Sequence, residues 1–364
     1  MTNPMDPGTA ENLADLDDVL TWREASTSGA AIDAALAAAR QMSPGLTSLL
    51  VGAERVIVTG AGSSYYLARV AAAVMREETG RVAIAVPLSE LILRPFGVLG
   101  AAGSGRQPVI VVSRSGSTSE AVDVAERMRA ASHPVIGVTC RADSPLARLS
   151  DLALISPAGD EAAIVMTRSF ASMLAMLLRV IARGARDATL AADLDRLPER
   201  WPEAVAAAQV GRALGAVDRS RVVILGGGPA AGIAAEWGLK LTETSQVATD
   251  AYEPLEFRHG PISVCQPGVL VVGLVGGPGA SDEARVVREA AALGADTWLI
   301  GREAGDIATA RGATSTIGQG LHPSARAPLL VYPAHALALS LALTRGRDPD
   351  APRHLGQVVI LEPA

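Results

Sequence analysis

Residues 55–62 read Arg-Val-Ile-Val-Thr-Gly-Ala-Gly, and residues 221–228 read Arg-Val-Val-Ile-Leu-Gly-Gly-Gly. Each stretch is an apolar, β-branched run that ends in a glycine-rich turn, and an alanine-rich segment typical of a helix follows each of them. The first pair of runs is separated by 166 residues. A second pair, 108–112 and 268–272, is separated by 160 residues, which is nearly the same offset. Strands that alternate with helices in two copies predict a duplicated α/β unit.

The duplication predicts two tandem lobes, each a doubly wound three-layer α/β/α unit with a parallel sheet. A length of 364 residues suits two domains. We expect the first lobe at residues 46–190 and the second at residues 205–345. The remaining predicted segments are an acidic disordered tail at 1–20, an N-terminal helical segment at 21–45 and a C-terminal tail at 346–364 that closes the site.

The composition excludes several classes of function. The net charge is -6 and no block of basic residues forms a face, so nucleic acid is not an expected partner. The most apolar stretch, 169–182, is interrupted by Arg179 and is too short to span a bilayer. Residues 1–20 contain no Lys or Arg, which argues against a leader, and we expect a cytoplasmic protein. Cys140 and Cys265 show no metal-ligand spacing, and neither a metal nor a cofactor is expected.

The loop Ser113–Ser119 follows one of the predicted buried strands and precedes a helix. Five of its seven residues carry hydroxyl groups, whereas the corresponding loop of the second copy, 273–279, has none. Hydroxyls and backbone N–H groups at a helix N-terminus suit a phosphate group. Ser113, Ser115 and Thr118 are therefore predicted phosphate ligands, with Ser64 from the neighbouring loop. The alternative is that these residues only cap the helix and form the turn.

The second copy carries an unusual set of ionisable residues. Of 32 basic residues 31 are Arg, and the single Lys is Lys240. Arg cannot replace an amine that acts as a compact charge or sheds a proton, which favours a functional role for Lys240. The alternative is that this one Lys survived by chance. Glu236, Lys240 and Glu243 share one helix face, a spacing that usually forms an exposed ion-pair stripe. His259 follows in a Gly-Pro loop that leaves its ring free for proton transfer.

Taken together, these sequence segments resemble those of the sugar isomerase (SIS) family. The chain is similar to the isomerase half of glucosamine-6-phosphate synthase and, from Thr21-Trp22-Arg23-Glu24 onward, to galactosamine-6-phosphate deaminase-like proteins. The matching segments, in family order, are 60–65, 113–118, 167–170, 236–243, 258–261 and 348–355.

The resemblance implies a role for each site residue. Ser64, Ser113, Arg114, Ser115 and Thr118 would hold the phosphate. Glu243 would move a proton between C1 and C2, His259 would open the sugar ring, and Lys240 would stabilise the developing oxyanion. The family's site lies at a homodimer interface, where the neighbouring chain often supplies the His.

Two departures from the family pattern decide which reaction we predict. We expect no glutamine-hydrolysing domain like that of the synthase, and Gln357 stands where the synthase has an imine-forming Lys. The prediction is a cofactor-free amino-sugar-6-phosphate deaminase/isomerase acting on a hexosamine or hexose 6-phosphate. The alternatives are an aldose–ketose phosphosugar isomerase, a deglycase of a glycated amine, and a sugar-phosphate sensor without turnover. The arginines Arg114, Arg168 and Arg258 either tune the substrate or reflect the Arg bias.

Overall fold

A computed structural model describes residues 15–42, 52–100, 105–301 and 312–360. The strands are β1 Arg55–Gly60, β2 Val82–Pro87, β3 Val109–Val112, β4 Val135–Thr139, β5 Leu152–Ile155, β6 Arg221–Gly226, β7 Ala248–Tyr252, β8 Val269–Leu274, β9 Asp296–Gly301 and β10 Gly312–Thr316. The helices are α1 Leu20–Ser26, α2 Ser28–Arg40, α3 Ser63–Thr79, α4 Leu88–Leu93, α5 Pro95–Leu99, α6 Ser119–Ala130, α7 Pro145–Leu149, α8 Arg168–Ala185, α9 Ala188–Asp195, α10 Leu197–Gly215, α11 Pro229–Ser245, α12 Pro254–Phe257, α13 Ala280–Ala292 and α14 Tyr332–Thr344.

The strands form two parallel five-stranded sheets with the same topology. The first has the order β2-β1-β3-β4-β5, and the second, read in the same direction, has the order β7-β6-β8-β9-β10. All the paired strands run parallel. The fold class predicted from the repeat, two tandem α/β lobes with parallel sheets, is confirmed.

One hydrophobic core lies between the two sheets and is shared by both lobes. Val56 and Val58 of β1 and Val222 of β6 contribute to it, together with residues of α3, α8, α11 and α14. The alternate residues of the same strands face the other side of each sheet. Ile57 of β1 belongs to an outer core of the first lobe, and Val223 of β6 belongs to an outer core of the second. Because successive strand residues face opposite sides of a sheet, each lobe needs apolar runs without interruption, as its sequence has.

Helix α11 of the second lobe packs directly on α3 of the first. Gly232 allows this close approach, because a Cβ at this position would lie 2.8 Å from the backbone N of Val70 and 2.9 Å from the carbonyl oxygen of Tyr66. The contact brings the N-terminal turn of α3, after β1, next to the polar face of α11.

The predicted disordered tail is wrong for residues 15–20. Leu16 and Val19 are buried, and Leu16 lies in a short 3₁₀ turn. The side chain of Asp15 accepts a hydrogen bond from the backbone N of Asp17 and pairs with Arg212 at 2.7 Å. The negative charge of the segment indicated a solvated tail, but Leu16 and Val19 belong to the same hydrophobic core as Trp22. Residues 1–14 of the predicted tail lie outside the described residues.

Residues 184–214, which lie between the two sheets in the chain, contain α9 and most of α10. The lobe boundaries 46–190 and 205–345 remain predictions, with the two sheets lying inside them. In the part of the chain that the structure describes, none of the helices combines the length and the apolar character needed to cross a bilayer.

Candidate active site

The candidate site lies at the point where the strand order of the first sheet reverses. Strand β1 pairs with β3 on one side and with β2 on the other, and Thr59 lies beside Val111 in the register. Ligands of open α/β sheets bind beyond the carboxyl ends of the strands at such a switch point. The loop after β1 with the first turn of α3, which carries Ser63 and Ser64, and the loop after β3 are therefore expected to form the two walls of one crevice.

The loop after β3 is held in shape by its own hydroxyl groups. The Oγ of Ser113 accepts a hydrogen bond from the Gly116 N–H at 3.2 Å and lies 3.3 Å from the Oγ1 of Thr118. The Oγ of Ser115 accepts the Ser117 N–H at 3.2 Å. Gly116 has φ +62°, and a Cβ there would overlap the side chain of Ser144. The turn-forming role is thus present, and phosphate binding by the same residues remains a prediction.

The guanidinium of Arg114 binds backbone carbonyls of two other segments. Its Nη1 donates to the carbonyl of Ala163 at 2.9 Å, and its Nη2 donates to the carbonyls of Ile164 at 3.1 Å and Gln357 at 2.9 Å. The guanidinium is buried and also lies 3.5 Å from Glu161. Arg114 thereby joins the loop 113–119 to the segment 161–164 and to the C-terminal tail, and its contact with a phosphate group remains a prediction.

The other two arginines named from the sequence are engaged in ion pairs. Arg258 forms a bidentate pair with Glu289, at 2.7 and 2.8 Å. Arg168 pairs with Glu24 at 3.2 Å and also donates to Thr27. These contacts favour structural roles for both side chains.

In the second lobe, a carboxylate of the chain itself binds the corresponding loop, 273–279. The N–H of Gly276 donates to Glu283 at 3.1 Å, and burial raises the pKa of Glu283. The loop borders a cavity of about 750 Å³ that also contains Glu77 and Glu253. An acidic cavity disfavours a phosphate group, so the two copies differ in charge as well as in hydroxyl content.

Lys240 lies between two carboxylates on α11. Its Nζ donates a short hydrogen bond to Glu243 and lies 3.6 Å from Glu236. Glu236 in turn accepts a hydrogen bond from the hydroxyl of Ser63, across the lobe boundary, at 3.0 Å. The Lys240 side chain is 2% exposed and that of Glu243 19% exposed. The shared helix face is therefore a buried ion-pair cluster rather than an exposed stripe.

The charges within this cluster follow from burial and proximity. Burial acts to lower the pKa of Lys240, but the carboxylates of Glu243 and Glu236 outweigh it, so the pKa is raised and the amine stays charged. Burial raises the pKa of Glu236 against the opposing effect of Lys240. One carboxylate oxygen of Glu236, Oε2, has no hydrogen-bond partner among the described residues. The cluster thus carries a fixed cation, with Glu243 as its more exposed acid.

His335 belongs to the same region and was missed by the sequence analysis. It is 2% exposed on α14, and neither ring nitrogen has a partner within the described ranges. The carbonyls of Leu330 and Ala338, on either side of His335 in the chain, accept hydrogen bonds from Trp237 and Thr244 of α11, which flank Lys240. Burial and, to a smaller extent, the Lys240 charge lower the pKa of His335 to about 3. The sequence does contain a signal for His335, because it is a single His inside the apolar run 329–343.

His259 lies apart from the cluster. It is exposed at the turn after α12, its N–H donates to the carbonyl of Glu256 at 2.9 Å, and Gly260 follows with φ +121°. Over the described ranges, its ring has no hydrogen bond or ion pair with Lys240 or Glu243. The structure brings together Lys240 and Glu243, but not His259.

In the part of the chain that the structure describes, one group of side chains has the spacing of metal ligands: Glu78, Asp187 and His322, with ligand atoms within 4.8 Å of one another. The Nδ1 of His322 accepts the Ser324 N–H at 3.3 Å, so a neutral ring carries its proton on Nε2, 3.9 Å from Glu78. A metal would need that nitrogen unprotonated. The pattern favours a carboxylate–imidazole contact between the lobes.

Comparison with known sequences gives two kinds of relative. The chain is 29% identical over 331 residues to glutamine–fructose-6-phosphate aminotransferase (isomerizing) of Leifsonia xyli subsp. xyli, covering 86% of this chain and 52% of that protein. It thus spans about half the length of its aminotransferase relatives. It is 30% identical over 395 residues to a Streptomyces coelicolor protein provisionally named D-galactosamine-6-phosphate deaminase, covering 98% of this chain and 95% of that protein.

Solved structures of two sugar-phosphate enzymes also superpose on this chain. Glucosamine-6-phosphate deaminase from Thermotoga maritima superposes with a TM-score of 0.76 at 27% identity, covering 94% of this chain and 99% of that chain. Tagatose-6-phosphate ketose/aldose isomerase from Escherichia coli superposes with a TM-score of 0.81 at 25% identity, covering 96% and 98%. These relatives are enzymes of phosphorylated sugars, and the prediction of an enzyme is confirmed. The SIS domain model matches residues 49–183 and 217–345, one copy around each sheet, and the chain belongs to the SIS domain family.

Proposed function

We propose that the protein is an amino-sugar-6-phosphate deaminase/isomerase. It converts a 2-amino-2-deoxy aldose 6-phosphate to the ketose 6-phosphate and ammonia, without a cofactor. The phosphate binds the loop of Ser113, Ser115 and Thr118, with Ser64 on the opposite wall. The sugar extends toward Glu243 and Lys240.

The observation that carries this proposal is the state of the single lysine. Lys240 is buried between Glu236 and Glu243, and its raised pKa keeps it as an ammonium ion. An ammonium ion has no lone pair with which to attack a ketose, and Gln357 supplies no amine either. A substrate that already contains its nitrogen avoids this step, which favours deamination over amination.

The proposed chemistry needs one base and one ring-opening group. His259 moves the proton that opens the pyranose. Glu243 then removes the C2 proton and returns it to C1, while O1 gains a proton and the C2 amino group loses one. These transfers convert the amino aldehyde to a C2 ketimine with a C1 hydroxyl. The Lys240 ammonium stabilises the negative charge that develops on O1 during the transfer. Water adds to the ketimine, and ammonia leaves.

We further propose a homodimer with a shared site. His259 is exposed and makes no contact with the Glu243–Lys240 pair over the described residues, which supports its delivery from a neighbouring chain. The proposed dimer places His259 of one chain next to Glu243 of the other. The C-terminal tail, which Gln357 fastens to the carbonyl of Glu161 at 2.8 Å, covers the phosphate side.

Ammonia release from glucosamine 6-phosphate, galactosamine 6-phosphate and the two free hexosamines tests the proposal. Release from a phosphorylated hexosamine alone is the expected result and identifies the sugar. Interconversion of fructose or tagatose 6-phosphate with its aldose, without ammonia, would replace deamination by aldose–ketose isomerisation. Binding of these sugar phosphates without any turnover would indicate a sensor.

A further inference from the structure

Helix α1 binds the C-terminal tail through the carboxylate of Asp350. The hydroxyl of Thr21 donates to its Oδ1 at 2.6 Å, and the Thr21 N–H donates to the same oxygen at 2.8 Å. The Leu20 N–H donates to Oδ2 at 2.7 Å. The tail residue Asp350 therefore satisfies the free N–H groups at the start of this helix.

One turn further along, Glu24 binds a second segment. Its Oε1 accepts the Ala162 N–H at 2.9 Å, and its Oε2 accepts the Ala163 N–H at 2.7 Å. Arg168 adds a charged contact at 3.2 Å. Glu24 is 9% exposed, so both oxygens are committed to bonds that are stronger than neutral ones.

The segment that Glu24 holds also holds Arg114. The peptide of Ala163 donates its N–H to Glu24, while the carbonyl of the same residue accepts from Arg114 at 2.9 Å. Residues 161–166 lie in neither a helix nor a strand, so their orientation depends on such side-chain bonds. Arg114 stands between Ser113 and Ser115 and also binds the carbonyl of Gln357 in the tail.

We propose that Glu24 is a positioning residue for the phosphate site. It fixes the 161–164 segment, this segment fixes the guanidinium of Arg114, and Arg114 fixes the loop in which Ser113 and Ser115 lie. Thr21 contributes by fixing the tail, the other partner of Arg114. The inference rests on the proposed binding of a sugar phosphate at this loop.

A residue with this role affects substrate binding more than turnover. In Glu24→Gln, an amide NH₂ replaces one acceptor and faces a backbone N–H, so one bond is lost and the segment loosens. We expect the Kd for fructose 6-phosphate or tagatose 6-phosphate, measured by calorimetry, to rise about 10-fold. The KM of the hexosamine 6-phosphate should rise in parallel, while kcat changes by less than about threefold.

Two further variants complete the experiment. Arg23→Ala removes an exposed side chain from the same helix and should leave the Kd unchanged. Thr21→Val removes only the hydroxyl bond to Asp350 and should weaken binding to a smaller extent than Glu24→Gln. If Glu24→Gln does not fold, Glu24→Asp, which keeps the charge but cannot reach both N–H groups, replaces it with the same expected direction.

A folded Glu24 variant with the Kd of the wild-type protein overturns the inference, even if its melting temperature falls, because the role is then only structural. A wild-type protein that binds neither ketose phosphate, nor inorganic phosphate, overturns the proposed function instead. The two failures are therefore distinguishable.

Discussion

The ammonium of Lys240 donates a short hydrogen bond to the carboxylate of Glu243, one turn further along α11. The two side chains differ in access, since Lys240 is 2% exposed and Glu243 19% exposed. The carboxylate is thus the member of the pair that is open to solvent. The buried cation behind it limits its rotation and gives it one fixed hydrogen-bond donor.

Replacing Glu243 by Gln should abolish turnover while sugar-phosphate binding survives. The amide keeps the size of the side chain but cannot accept the C2 proton, and a positioned base contributes about 10²–10⁴-fold to a rate. We expect kcat for ammonia release to fall at least this much, with the Kd for the ketose phosphate within a few-fold. Ammonia assays and calorimetry on the same preparation measure both quantities.

Glu256→Gln serves as the matched control, because this acid is exposed on α12 and outside the proposed base position. It should retain wild-type turnover. Full activity in Glu243→Gln would remove Glu243 from the mechanism.

The strands of the repeat could be predicted because their side chains are buried on both faces. Strands β7 and β10 could not, since they are edge strands with polar side chains. Asp250 in β7 pairs with Arg221 of the neighbouring strand, and this contact exists only after the sheet has formed. Helix α14 is apolar on all sides, so its sequence has no helical period to detect.

The types of residue in the site followed from the sequence, but their partners did not. The Ser63–Glu236 hydrogen bond joins residues 173 positions apart, and that between Arg114 and Gln357 joins residues 243 apart. Such pairs depend on how the two lobes pack. The hydroxyls of Ser113 and Ser115 were correctly placed in a strand–loop–helix unit, since that inference needed only neighbouring residues.

If the site is shared between subunits, two inactive variants should complement each other. Glu243→Gln lacks the base and His259→Asn lacks the ring-opening group, so each homodimer is inactive. Random exchange gives mixed dimers in which one of the two sites has both residues intact. We expect about a quarter of wild-type ammonia release after the subunits are mixed and allowed to exchange.

The separate variants, assayed at the same total concentration, provide the baseline. Activity in the mixture no higher than their sum, with exchange verified by mass spectrometry of tagged chains, would place both residues of a working site in one chain.

His335 should make the folded protein sensitive to acid. Its pKa is lowered from 6.5 to about 3, so between these pH values the unfolded chain binds a proton that the folded chain does not. The free energy of unfolding should therefore fall as the pH drops below 6.5, by up to about 1.4 kcal/mol per pH unit. His335→Gln removes this contribution, and urea denaturation at several pH values compares the two slopes.

Glu236 and Lys240 are present in both proteins, so to first order their contributions cancel in the difference. The stability difference between wild type and His335→Gln should change steadily from pH 6.5 downward. A difference independent of pH would show that His335 titrates equally in the folded and unfolded chains.

Gly232→Ala should destabilise the protein although Ala favours helices. The new Cβ would meet backbone atoms of Val70 and Tyr66 at 2.8 and 2.9 Å, and these cannot move unless α3 and α11 separate. Overpacking of this kind costs about 1–3 kcal/mol, against about 1 kcal/mol gained in helix propensity. Separation also displaces Ser63 from Glu236, so kcat/KM should fall together with the urea midpoint.

Gly238→Ala, in the same helix, is the matched control for this clash. Its new Cβ would lie 3.6 Å from the nearest atom, the Oγ1 of Thr249, which is an ordinary contact. This variant should therefore gain the helix propensity without the overlap and unfold at a higher urea concentration than the wild type. If both glycine variants shift the midpoint upward to the same extent, the close approach of α3 and α11 at Gly232 does not limit stability, because only the propensity term is then being measured.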